Sequence, residues 1–178
     1  MIAGFLLAGV IFFAVQAWAV AVCCEARLPR AEKFLRSRRI GAVAGAAALL
    51  WCVPQVQAVA WHWLAQWAYP AAAAVLFLSV KYLDNLVARA WAGLLIMGAY
   101  SFLDMSFDQQ LNMGISGAIP AWVWGSIGIV AAAKPCYVRD FLRLSSRKKF
   151  WRLLAVILSV VTAIFLLTAL AVFMKSRW

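Results

Sequence analysis

Negative charge is scarce in this sequence. Six Asp and Glu stand against 17 Lys and Arg, and charged residues of both signs make up only 13% of the chain. An ordinary soluble domain is about 25% charged and roughly 45–50% apolar, whereas 67% of these 178 residues are apolar. That balance excludes a water-soluble globular fold. Histidine occurs once, as His62, and the four cysteines (Cys23, Cys24, Cys52 and Cys136) lack the CxxC pairing of a zinc or dithiol site, so no metal and no cofactor is expected. GxSxG, HExxH and P-loop patterns are also missing, which removes their hydrolase, zincin and nucleotide-binding readings. The net charge of +11 does not point to nucleic acid, because the basic residues sit in short gaps between apolar runs and form no stripe.

What the sequence has is long hydrophobic runs, and an all-α polytopic membrane bundle of about six transmembrane helices follows from them. Ile2 to Val22 is 21 residues with Gln16 as the one polar side chain, about 30 Å of helix and so the thickness of a bilayer core. No Lys or Arg precedes this run and Val22 precedes Cys23, unlike a cleaved signal peptide, so it is expected to stay as a span. The other spans are predicted near 40–60, 65–83, 88–104, 117–133 and 153–174. The third begins either at Pro70 or near Leu64 with a kink at Pro70. Pro54, Pro70 and Pro120 are the candidate points of helix interruption. Residues 1–178 are expected to form one bundle domain without repeats.

Two basic gaps orient this bundle. Cys23 to Arg39 carries six Lys and Arg, and Lys134 to Arg152 carries seven. If both face the cytoplasm, an even number of spans separates them. About 95 residues lie between, too many for two spans of roughly 20 residues, so four are expected there and six in all. Both ends of the chain then lie outside, with Lys175 and Arg177 as the exceptions to the charge rule. Each basic gap is expected to hold a short amphipathic helix on the cytoplasmic surface. Tyr137, Val138, Phe141, Leu142 and Leu144 form the apolar side of the second. Such a protein belongs in a cell membrane, and the Arg- and Ala-rich composition suggests the bacterial cytoplasmic one.

Three residue sets carry the candidate chemistry. On the outer side His62, Trp63 and Trp122 accompany Asp104 and Asp108, with Trp61, Trp67 and Trp124 nearby in sequence. A fourth helix extended by one turn would put Tyr100, Asp104 and Asp108 on one face, and two carboxylates one turn apart favour a bound cation, a shared proton or a protonated histidine. The plainer explanation is an aromatic belt at headgroup level beside a solvated loop. On the inner side Arg139, Arg143, Arg147, Lys148 and Lys149 are expected to contact anionic lipid headgroups, and Asp84 is expected to pair with Arg89 or Arg139 as a tie between hairpins. Within the spans, Gly41 and Gly45 form a GxxxG step for close helix packing. The cysteines are expected to be inert small residues.

Few polar groups in the spans, short loops and small-residue seams together suggest an accessory or assembly subunit whose partners are the lipid bilayer and other membrane subunits or further copies of itself. The alternatives are a small oligomeric transporter with an outward acidic and aromatic vestibule, and a membrane-embedded enzyme acting on a lipid-linked substrate.

Overall fold

The computed structural model describes residues 2–107 and 114–175, and every regular element among them is helical. The helices are α1 (Ile2–Val22), α2 (Leu28–Leu35), α3 (Arg38–Val59), α4 (His62–Ala65), α5 (Ala68–Tyr82), α6 (Leu86–Phe107), α7 (Gly114–Ala133), α8 (Cys136–Arg147) and α9 (Lys149–Lys175), with a 3-10 turn at Glu25–Arg27. Five of them, α1, α3, α6, α7 and α9, are long and apolar enough to cross a membrane, a set compatible with a multi-pass membrane protein.

Several boundaries differ from the sequence reading for identifiable reasons. The third predicted span, 65–83, is divided. The chain leaves α4 after Ala65 and α5 begins at Ala68, so Pro70 falls in the first turn of α5, where its missing N–H is not needed. At 15 residues, α5 is about 22 Å long, shorter than a bilayer core of about 30 Å. The fourth helix starts at Leu86, two residues before the predicted 88, because Asn85 adopts a left-handed backbone with φ of 56°. Asparagine tolerates that conformation better than most residues, and here the turn into α6 needs few residues. Pro54 and Pro120 lie inside α3 and α7, which run continuously through them, so neither proline interrupts its helix.

The chain divides into two compact units. The first comprises Met1–Pro29, Gly98–Val123 and Asp140–Trp178. In it α1 packs along α9. A Cβ built on Gly9 would meet Leu166 Cδ1 at 3.0 Å, and Gln16 Nε2 donates to Ser159 Oγ at 3.2 Å. Residues rising along α1 thus meet residues falling along α9, and the two helices are antiparallel. Leu6, Phe13 and Ala17 bury one face of α1, and Ser159, Thr162, Leu166, Ala169 and Phe173 bury one face of α9. The hydroxyls of Ser159, Thr162 and Thr168 donate to Ala155 O, Leu158 O and Phe165 O at 2.9, 2.8 and 2.8 Å. Bonding back to the preceding turn lets each hydroxyl sit in an apolar helix without an unmet polar group. Phe102 of α6 meets Phe165 edge-on, 6.1 Å between ring centres.

The second unit comprises Arg30–Met97 and Trp124–Arg139. Its seams are set by glycine. A Cβ on Gly41 would lie 2.7 Å from Leu86 Cβ and 3.0 Å from the Val87 backbone nitrogen, and one on Gly93 would lie 3.6 Å from Ala48 Cβ. Residue 41 therefore faces 86 and residue 48 faces 93, so α3 and α6 run parallel. α5 returns between them in sequence, antiparallel to α3. Gln57 Nε2 donates to Ala65 O at 3.2 Å near one end of α3, and Gly45 approaches Leu76 Cδ1 at 3.4 Å toward the other. α7 is antiparallel to α6: a Cβ on Gly128 would lie 2.8 Å from Ile96 Cγ1 and 3.1 Å from Ala92 O, and Arg89 Nη1 donates to Ala132 O at 3.4 Å.

Candidate functional site

The external set is not drawn together by any described contact. His62 and Trp63 belong to α4 and the second unit, Asp104 and Trp122 to the first, and Asp108 lies outside the described residues. His62, Trp63, Asp104 and Trp122 are all exposed. α6 does extend past residue 104, to Phe107, so Tyr100 and Asp104 share an exposed helical face. The tryptophans do not act alike. Trp122 is 70% exposed and Trp124 only 6%, because residues two apart on a helix point about 200° from one another. Trp124 is therefore a packing residue, not a member of an exposed belt.

The cysteines show no arrangement for nucleophilic chemistry. Cys23 is buried just beyond α1, and burial, with Cys24 beside it, pushes its thiol pKa up against the opposing charge of Arg152. A thiol held protonated is a poor nucleophile.

The basic residues divide into two groups. Arg143, Arg147, Lys148 and Lys149 are exposed at the end of α8 and the start of α9, and Arg147 Nε lies 3.5 Å from Glu25 Oε1 with both side chains well exposed. Such a pair contributes little, on the order of 0–1 kcal/mol. Arg139 is different, being half-buried in the first turn of α8.

Arg139 helps to line a hollow of about 350 Å³ in the second unit together with Arg36, Arg38, Leu83, Asp84, Asn85 and Leu86. Each element contributes for a local reason. α2 ends at Leu35 and α3 starts at Arg38, so Arg36 and Arg38 flank the break between them. α5 ends at Tyr82, and the left-handed Asn85 turns the chain into α6. Asn85 O accepts from the Ala88 and Arg89 amides, at 3.0 and 3.3 Å. Gly41 lets this turn approach α3, since any side chain there would collide with Leu86. Asp84 and Arg139 thus line the same hollow, while Arg89 reaches the last turn of α7 through Ala132 O, where a cation is favoured by the helix dipole.

Sequence inspection missed this hollow. Arg36 and Arg38 were visible only as part of a basic run, and nothing in their spacing tied them to Asp84 or Arg139, about fifty and a hundred residues away. The one available signal was the short polar turn Asp84–Asn85 between two apolar helices. Among the described residues, no group of three or more His, Cys, Asp or Glu is arranged to hold a metal ion. No family model, curated protein or solved structure matches this chain.

Proposed function

We propose that the chain is a six-span protein of the bacterial cytoplasmic membrane that works as an accessory or assembly subunit, with both basic segments in the cytoplasm and both ends of the chain outside. The observation that carries the subunit reading is how the polar side chains within the spans are used. Gln16 and Ser159 bond to each other, and Ser106, Thr162 and Thr168 bond to their own helices. The Gln16–Ser159 bond joins α1 to α9, and hydroxyls that donate to their own helix are satisfied there and not offered to a substrate. Outward faces meanwhile carry large apolar side chains, such as Leu7, Ile11 and Val15 on α1 and Val43, Leu50 and Val59 on α3, suited to lipid or to a neighbouring helix.

The six-span count is supported by helix direction. Antiparallel α1 and α9 require an even number of crossings, which five long helices alone do not supply. Parallel α3 and α6 require one return crossing between them, and α5 is the helix available to make it. Its shortness can be met by local thinning of the bilayer at modest cost. The amphipathic α2 and α8 then lie at the cytoplasmic surface with Arg143, Arg147, Lys148 and Lys149 toward anionic headgroups.

Orientation is tested by labelling single cysteines from outside, in a variant whose four native cysteines are replaced. A probe at position 112 is expected to react and probes at 37 and 146 to be spared; the reverse pattern ends the topology. The subunit reading is tested by photo-crosslinking in native membranes from Val43 and Leu50. A recurrent adduct with one membrane polypeptide, or with a second copy, is expected. Adducts with lipid alone would remove the reading.

A further inference from the structure

We infer that the hollow lined by Arg36, Arg38, Asp84, Asn85 and Arg139 is a binding site for a phosphoryl group. The argument is electrostatic and geometric. Three guanidiniums and one carboxylate line a space of about 350 Å³, within the roughly 300–1,000 Å³ of small-ligand pockets. Their formal charge leaves two positive charges in excess, which one phosphate matches. Two helices also begin here. Arg38 opens α3 and Leu86 opens α6, each helix is 22 residues long, and neither has an acidic residue in its first turn. Ser37, preceding α3, makes no side-chain capping hydrogen bond. The first amides of a helix and its dipole favour an anion, yet this end of α3 carries Arg38 and Arg39, and Arg36 and Arg139 add to the same sign. An anion seated here would meet three guanidiniums and two helix starts, with Asp84 as the one carboxylate in the lining.

Arginine suits this task. Its planar fork can donate two parallel hydrogen bonds to phosphate oxygens, and it is less strongly hydrated than lysine. Arg36, Arg38 and Asp84 are exposed while Leu83, Asn85 and Arg139 are half-buried, so the hollow opens to the surface at Arg36, Arg38 and Asp84. Basic pockets between membrane helices on the cytoplasmic side bind phosphorylated headgroups. The phosphoryl group can therefore come from an anionic lipid or from a soluble phosphate compound. The inference rests on the proposed function only for the side of the membrane from which a ligand arrives. Binding in detergent depends on neither orientation nor partner, so the two can fail separately.

The test uses the full chain, delipidated in an uncharged detergent. One arm adds phosphatidylglycerol or phosphatidylcholine in mixed micelles and counts retained lipid by native mass spectrometry. The other adds glycerol 3-phosphate or inorganic phosphate and follows thermal unfolding. Retention of phosphatidylglycerol over phosphatidylcholine identifies a headgroup site. Stabilisation by the soluble phosphates without lipid retention identifies a soluble ligand, and either result supports a phosphoryl site. Arg36→Gln combined with Arg139→Gln is expected to weaken the observed binding on the order of tenfold or more. Arg27→Gln combined with Lys175→Gln, the same change of net charge at two exposed positions outside the hollow and outside the headgroup-facing set, is expected to leave it within about threefold. Equal losses in the two doubles, or no binding in either arm, would overturn the inference. Should the first double fail to fold, Arg36→Lys and Arg139→Lys keep the charge but lose the fork. Each is then expected to bind at least about threefold more weakly, and unchanged binding in both would be equally fatal.

Discussion

In the second unit the start of α6 lies so near α3 that a Cβ on Gly41 would sit 2.7 Å from Leu86 Cβ, whereas in the first unit α1 and α9 meet through a hydrogen bond of 3.2 Å between Gln16 and Ser159. Both can hold helices together in lipid, which supplies no hydrophobic drive between them because its tails are as apolar as leucine. The first works by shape: small residues let backbones approach, and the attraction is dispersion summed over many atoms. The second works by a polar pair with Ser159 fully buried, whose loss leaves a group without its partner. Closeness is unforgiving of added volume. A polar bridge is more tolerant of volume and sensitive to chemistry.

The largest effect is therefore expected at Gly41. Gly41→Leu should separate α3 from α6 and cost at least about 3 kcal/mol, with Gly41→Ala costing about 1–3 kcal/mol, the range for overpacking a filled site. Denaturant titration in detergent checks both. A neutral Gly41→Ala would mean that the two helices slide apart without loss, which breaks the comparison. Gly128→Ala comes next. Its new methyl would meet Ile96 Cγ1 at 2.8 Å and Ala92 O at 3.1 Å, and about 1–2 kcal/mol is expected. Gly45→Ala sharpens the point. It meets only the tip of Leu76 at 3.4 Å, so a change within about 0.5 kcal/mol, or a slight gain from helix propensity, is expected in the same titration.

The polar seam should respond more weakly. A double-mutant cycle on Gln16→Leu and Ser159→Ala is expected to give a coupling of about 0.6 kcal/mol, the average for hydrogen bonds between membrane helices. A coupling above about 2 kcal/mol would reverse the ranking of the two units. The smallest effect belongs to Glu25→Gln, which removes the exposed pair with Arg147 and should change stability by less than about 0.5 kcal/mol, less still at high salt.

The helices themselves were largely legible in the sequence. Ile2–Val22 runs as the hydropathy of its 21 residues suggests, and the helices over 40–60, 88–104, 117–133 and 153–174 differ from their observed extents by a few residues at their ends. Ends were less legible because capping and chain reversal depend on single conformations, such as the left-handed Asn85. The divided stretch from His62 to Tyr82 was the hardest to read, since Trp, Tyr and Ala suit a membrane interface and a span alike. The GxxxG spacing named Gly41 and Gly45 but could not name what they meet, which is Leu86 of α6 in one case and Leu76 of α5 in the other.

By itself, the sequence determined that the chain is helical and that several of its helices are long and apolar enough for a bilayer. These are local properties: hydropathy adds over some twenty consecutive residues and does not depend on neighbours in space. Which helices pair, in which direction, and which charges gather were decided only by the tertiary structure. Arg36, Arg38 and Asp84 line one hollow because α3 and α6 run parallel and start at the same end, and Arg139 joins them because α7, antiparallel to α6, ends there. That alignment follows from shape complementarity at Gly41 and Gly93, an energy of contact between distant segments that no local window of the sequence contains.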